Sequence, residues 1–329
     1  MEYIGHLENH DPLSEYLKHD IFPQIGCSGA EGIRVFSTNG SNDVYIYEDR
    51  QTCKRVVGKF YFSPKKDNWE QAGRLLDREC YNTNLFRSFL GEHHYAARIL
   101  GRNDNMNRLL VVEYCYGEPL DNIIMRCINN GERELLFEKL RALAYFLATV
   151  HNRSAQEHTV DFNYCCHYTH TMITCLQSKI PDSTIDSLRR KCEDWRNDAR
   201  MWQDRTVLVH GDATPSNFFF GDGMYVITFD LERVKWTDRI FDVGRIVGEL
   251  QHFFLRSTGD KNNAEPFIQY FLQEYAWHFP DQPETFQSIT ARVPFHMGTT
   301  LLRIARNSYL DQGYRMQLVR EAKECLRRK

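Results

Sequence analysis

The sequence predicts an α+β protein in two parts, a strand-rich first third and a mainly helical remainder. Three observations carry that expectation. Short runs rich in Val, Ile, Phe and Tyr alternate with turn residues up to residue 62. Beyond residue 115, apolar residues recur at helical spacing. Between them, Cys115-Tyr116-Gly117-Glu118-Pro119 breaks both periods and reads as a linker. The expected parts are therefore residues 1–114 and 115–329, and a chain of 329 residues is long enough for two cores.

The elements follow in order. Residues 32–37, 44–48 and 55–62 read as an antiparallel meander, with Asn39-Gly40-Ser41-Asn42-Asp43 and Asp49-Arg50-Gln51 as its turns. A helical pattern covers 69–90. Strands at 95–100 and 108–114 complete a five-stranded antiparallel sheet with one helix. In the second part, Leu136, Leu140, Leu143, Leu147 and Val150 give 134–151 a helix period. A further helix is expected at 185–202. A strand-rich island at 206–229 follows, then several helices from 242 to 329.

Bulk properties narrow the function. Net charge is −3, with 42% hydrophobic and 26% charged residues, so the basic excess of a nucleic-acid binder is absent. No run approaches the roughly 18 apolar residues of a membrane span. The N-terminus is polar and acidic, without the pattern of a signal peptide. The ten cysteines are scattered, which suits free thiols in a reducing cytoplasm. These readings point to a cytoplasmic protein with neither nucleic-acid nor membrane partners, and they leave its oligomeric state open.

The island carries the chemistry. An apolar strand ends in His210-Gly211-Asp212, Pro215 forces a loop, and Asn217 opens a hairpin around Gly221-Asp222-Gly223 that ends at Asp230. An acid, an amide and a second acid are thus expected at one hairpin edge. Oxygen donors of this kind suit Mg²⁺, and a carboxylate beside such a metal can accept the proton of an attacking hydroxyl. Either Asp212 or Asn217 alone would be read as turn chemistry. The whole spacing argues otherwise.

This arrangement resembles the catalytic and metal-binding loops of the aminoglycoside phosphotransferase and choline kinase superfamily, over roughly residues 33–250. The resemblance implies a bilobal protein-kinase-like fold. It also implies γ-phosphate transfer from ATP or GTP, with Mg²⁺, to a hydroxyl of a small molecule. Asp212 would be the catalytic base, and Asn217 and Asp230 would hold the metal. Asp242 would brace the loop, and His210 would order it by hydrogen bonding. Gly211 stands where protein kinases have arginine, and Asp230-Leu231-Glu232 replaces Asp-Phe-Gly, so a protein Ser/Thr kinase is the weaker alternative. A nucleotide-binding pseudokinase is the other, and the intact motif residues argue against it.

The first part supplies what such an enzyme needs. Lys59 lies on the expected third strand, and Glu79 falls on the apolar face of the following helix with Ala72, Leu75, Leu76 and Phe86. A carboxylate facing a core needs a partner, and Lys59 is the candidate. Gly40, Ser41 and Asn42 would cover the nucleotide phosphates. Glu113 to Cys115 would be the hinge whose backbone reads the base.

The acceptor stays open. Glu232, Asp238, Glu249, Asp260 and Glu265 offer acids for a cationic acceptor, while Arg303 and Arg306 offer charge for an anionic one. Cys165-Cys166-His167-x-x-His170 makes a poor zinc site, because adjacent cysteines are poor co-ligands. The aromatic run from Phe253 to Phe279 reads first as core packing and second as an acceptor wall.

Overall fold

The strand runs of the first third pair as their alternation requires. In the computed structural model, which describes residues 1–27, 32–38, 43–63 and 68–327, they form an antiparallel sheet. Its strand order is Glu2–His6, Ile33–Ser37, Asp43–Asp49, Arg55–Phe60, Leu109–Glu113, Ile99–Asn103. Six strands stand where five were expected. The extra one, Glu2–His6, is an exposed edge strand paired with Ile33–Ser37 and interrupted by a bulge. Its side chains, Tyr3 and Ile4 included, lie largely open to solvent, so no buried face imposed the alternation by which strands are recognised. His94–Ala96 forms a separate short strand outside this sheet.

The Trp69–Arg87 helix buries Ala72, Leu76, Glu79 and Phe86 along one stripe. Ala72 and Leu76 pack with Tyr61, Leu110 and Val112 of the sheet. The other sheet face packs Ile33, Val35, Tyr47, Val56 and Leu109 against Leu17, Ile21 and Phe22 near the N-terminus.

Two units emerge from the pattern of contacts. The first comprises Met1–Arg87, Ala96–Tyr116 and Phe229–Glu232; the second comprises Ser88–Tyr95, Gly117–Thr228 and Arg233–Lys329. The second is mainly helical, with long helices at Arg133–Ser154, Phe162–Thr174, Asp182–Arg196, Ile240–Thr258, Glu265–Trp277, Gln282–Ala305 and Gln312–Cys325. Phe162, Leu188, Trp195, Phe295 and Leu318 meet in one of its cores. Of the aromatics in the 253–279 run, Phe254, Phe267, Phe271, Tyr275 and Phe279 are buried, whereas Trp277 is exposed. The hairpin Phe218–Phe220 and Val226–Thr228 closes through Gly221-Asp222-Gly223, with Phe218 opposite Thr228. Strand Thr206–Val209 pairs with Lys235–Asp238, which flanks the island on its other side. No helix among the described residues is long and apolar enough to cross a membrane.

Candidate active site

In the first unit, the sheet and helix bring Lys59 and Glu79 together. Lys59 Nζ lies 2.6 Å from Glu79 Oε1, with both side chains buried. The same ammonium lies 3.1 Å from Asp230 Oδ1, and the Asp230 side chain is one-third exposed. Tyr61, two residues after Lys59 and just past the end of its strand, donates its hydroxyl to Glu79. Burial alone would lower the Lys59 pKa; the carboxylates of Glu79 and Asp230 outweigh it and hold the ammonium above its ordinary range.

Asp230 reaches this cluster through an unusual backbone. Its φ is +63°, a left-handed conformation that costs a non-glycine residue energy unless its surroundings enforce it. The enforcement is visible: Asn82 Nδ2 donates to the carbonyls of Leu231 at 3.1 Å and Glu232 at 3.2 Å. Glu79, Asp230 and Glu232 then bring carboxylate oxygens within 4.8 Å of one another. Hard oxygen donors in such a set fit Mg²⁺ or another small divalent cation. Glu232 belongs here, and Asp230-Leu231-Glu232 was its signal.

The second unit holds Asp212 and Asn217. Gly211 makes the loop possible. Its φ is +78°, and a Cβ there would strike the Arg233 carbonyl oxygen, so the arginine of protein kinases has no room. Asp242, fully buried, accepts from the backbone amides of His210 at 2.6 Å and Gly211 at 3.0 Å. His210 Nδ1 accepts from the Asp212 amide, which assigns its proton to Nε2, 2.9 Å from Thr228 Oγ1. Thr228 in turn donates to the Asn217 carbonyl. His210 therefore ties the loop to the hairpin, and Asp242 ties it to the Ile240–Thr258 helix. Asn217 Nδ2 donates to the Asp212 carbonyl at 2.9 Å, which leaves its amide oxygen as the atom to offer a cation.

The Asp212 carboxylate is ringed by guanidiniums. Arg303 Nη2 lies 2.8 Å from it, Arg245 Nη1 3.1 Å and Arg233 Nε 3.7 Å. Burial would raise the Asp212 pKa, but these three charges hold the carboxyl below its usual range. Glu249 accepts from Arg303 at 3.3 Å. Its own carboxyl is raised by burial, against the pull of Arg303 and Arg245.

The remaining candidates fall elsewhere. Glu113 ends a sheet strand with its carboxylate on the Arg98 side chain at 2.9 Å and its amide donating to the Arg98 carbonyl at 2.9 Å. Burial pushes the Cys115 thiol up to about 12, and its side chain is inert. Gly40, Ser41 and Asn42 lie outside the described residues. Asp238 is fully buried against Arg292, and Asp260 is an exposed residue that caps a short helical turn. His170 pairs with Glu193 rather than joining Cys165 and Cys166, which are buried thiols.

The sequence profile of the APH family, described as the phosphotransferase enzyme family, matches residues 32–283. The chain belongs to that family. Among solved structures this phosphotransferase is similar to the aminoglycoside phosphotransferase APH(2'')-Ib bound to ADP. The identity is 14% and the TM-score 0.57, with 96% of this chain and 97% of that chain covered. It is also similar to an ethanolamine kinase of Plasmodium vivax, at 14% identity and TM-score 0.56, covering 89% and 80%. A third likeness is amicoumacin kinase hAmiN in complex with AMP-PNP, Ca²⁺ and Ami, at 18% identity and TM-score 0.54, covering 89% and 87%. At these identities the likenesses establish the kinase-like fold. No curated protein matches the sequence. Family and fold together make the protein a small-molecule phosphotransferase.

Proposed function

We propose that the protein transfers the γ-phosphoryl group of ATP or GTP to a hydroxyl of a small molecule, with Mg²⁺ and with Asp212 as the base. The observation that carries this is the buried Lys59, held between Glu79 at 2.6 Å and Asp230 at 3.1 Å. A fixed ammonium of this kind suits the oxygens of a nucleotide phosphate. The ADP and AMP-PNP in the related structures support a nucleotide donor, and the Ca²⁺ supports a divalent cation. The metal ligands we assign are Asp230 in the first unit and Asn217 in the second. When bound, the metal would neutralise phosphate charge.

The acceptor oxygen forms a bond to the γ-phosphorus, the bond to the β–γ bridging oxygen breaks, and the nucleoside diphosphate leaves with that electron pair. The hydroxyl proton passes to a carboxylate oxygen of Asp212. Because its arginines keep Asp212 a weak base, its first task is to orient the hydroxyl, and it takes the proton late, as the attacking oxygen becomes acidic. The backbone from Glu113 to Cys115 is assigned to the nucleotide base, and Gly40, Ser41 and Asn42 to its phosphates. The ten free cysteines fit a reducing compartment, and we place the protein in the cytoplasm.

The test is a screen of hydroxyl compounds (amino alcohols, sugars, aminoglycosides, nucleosides and hydroxy acids) for metal-dependent phosphate transfer from ATP. Nucleotide binding without transfer to any of them would refute the enzymatic reading.

A further inference from the structure

The two oxygens of the Asp212 carboxylate are not equivalent. Oδ1 accepts from Arg303 Nη2 at 2.8 Å and from Arg245 Nη1 at 3.1 Å. Arg233 Nε stands 3.7 Å from Oδ2, beyond hydrogen-bond distance. Among the described residues, both hydrogen bonds to this carboxylate therefore fall on Oδ1. An Asp carboxylate turns in a broad, roughly two-fold torsion, so without such a hold either oxygen could face outward.

The two guanidiniums on Oδ1 are themselves held. Arg245 is buried and donates its other terminal nitrogen to the Tyr168 hydroxyl at 3.0 Å. Arg303 donates its other arm, Nη1, to the buried Glu249 at 3.3 Å. One planar fork thus joins two carboxylates, which a lysine ammonium, a point charge on a flexible stem, cannot do with fixed geometry. Helix packing sets the register. A Cβ at Gly244 would strike His296, and one at Gly248 would strike Thr300, so Ile240–Thr258 and Gln282–Ala305 approach closely there. His296, Thr300 and Arg303 share one face of their helix, and Arg245 and Glu249 lie one turn apart on the other.

Resting on the kinase reading above, we propose that Arg303, braced by Glu249, is a positioning residue for the transfer. With Arg245 it holds Oδ1 of Asp212 and leaves Oδ2 as the oxygen that meets the acceptor hydroxyl and takes its proton. Glu249 acts one step further out, by holding the second arm of Arg303. Both residues work through Asp212, so their loss falls on kcat and spares nucleotide affinity.

The full-length protein is assayed with Mg²⁺ and ATP, using water as the acceptor and then each compound of the screen above. Arg303→Ala is expected to lower kcat by about tenfold to a hundredfold, the scale of a misplaced catalytic group, with KM for ATP within about twofold of the parent. Guanidinium chloride at non-denaturing concentration should restore part of the lost kcat in Arg303→Ala, while equal concentrations of NaCl or urea should not. Arg303→Lys, which keeps the charge but reaches one carboxylate at a time, should fall between Arg303→Ala and the parent. Glu249→Gln should lower kcat by a few-fold, and Arg306→Gln, at the end of the same helix, should change neither constant. A folded Arg303→Ala that turns over like the parent overturns the proposal. So does a loss that guanidinium does not reverse, or a KM for ATP that rises in step with the loss in kcat. If a thermal melt shows Arg303→Ala unfolded, Arg303→Lys and Glu249→Gln carry the test, and parent-like kcat in both overturns the proposal. A parent that turns over ATP with neither water nor any compound of the screen overturns the kinase reading itself, which is scored on the parent alone.

Discussion

The two units handle buried charge with opposite sign. In the first, one ammonium, Lys59, stands among the carboxylates of Glu79, Asp230 and Glu232. In the second, one carboxylate, Asp212, stands among the guanidiniums of Arg233, Arg245 and Arg303. Each core ion is tolerated because its partners are fixed by rigid elements, a strand and a helix in one case and two helices in the other. Carboxylates grouped in this way suit a small divalent cation, and guanidiniums grouped in this way suit an anion. Composition hides this, because the two clusters of opposite sign merge into a net charge of only −3.

The strongest way to break the comparison is to remove the central ion of the second cluster. Asp212→Asn should lower turnover by roughly 10²–10⁴, the range for a positioned general base, with little change in nucleotide affinity. Turnover and binding of a fluorescent ATP analogue on the same preparation check it. Turnover within a few-fold of the parent would reduce Asp212 to a loop residue.

Removing the central ion of the first cluster should act on stability as well. Lys59→Met leaves Glu79 buried without its cation. Breaking a buried pair in this way costs about 3–5 kcal/mol, measured as the shift of the urea midpoint. A variant as stable as the parent would show that Tyr61 alone satisfies Glu79.

A smaller loss is expected from Gly211→Ala. The substitution forces a side chain into a left-handed backbone position against the Arg233 carbonyl, for about 1–3 kcal/mol. A thermal melt reads it, and an unchanged Tm would mean that the loop can relax without cost.

The gentlest probe is pH. Burial lowers the Lys235 pKa from 10.5 to about 8. Between those values the unfolded chain still binds the proton that the folded chain has lost, so stability from this residue rises with pH across that window. The slope is at most about 1.4 kcal/mol per pH unit. Lys235→Met should flatten it in denaturation curves taken from pH 7 to 10. A slope that survives the substitution would assign the effect to another group.

The parts that were legible in the sequence are local or periodic. Glu79 was found because it interrupts an apolar stripe at helical spacing, and a buried carboxylate demands a cation. His210-Gly211-Asp212, Asn217 and Asp230 stood out as candidates because their spacing is set by one loop and one hairpin. The Glu2–His6 strand was missed because an exposed edge imposes no pattern. Arg245 was missed because its carboxylate lies 33 residues away along the chain. Arg303 and Arg306 were equivalent on paper, being three apart and so neighbours on one helix face. In the folded chain Arg303 meets Asp212, and Arg306 forms the end of its helix.

The sequence by itself therefore determined the order of strands and helices beyond the Glu2–His6 edge strand, the candidate loop around Asp212 and the need for a partner at Glu79. These follow from backbone sterics, side-chain period and the cost of unpaired burial, all of which act over a few residues. Only the tertiary structure decided which charges surround each of those groups. It brought Asp230 to Lys59 across 171 residues and Arg303 to Asp212 across 91. Coulomb interactions depend on distance in space, and that distance is set by how helices and strands pack, not by their separation along the chain.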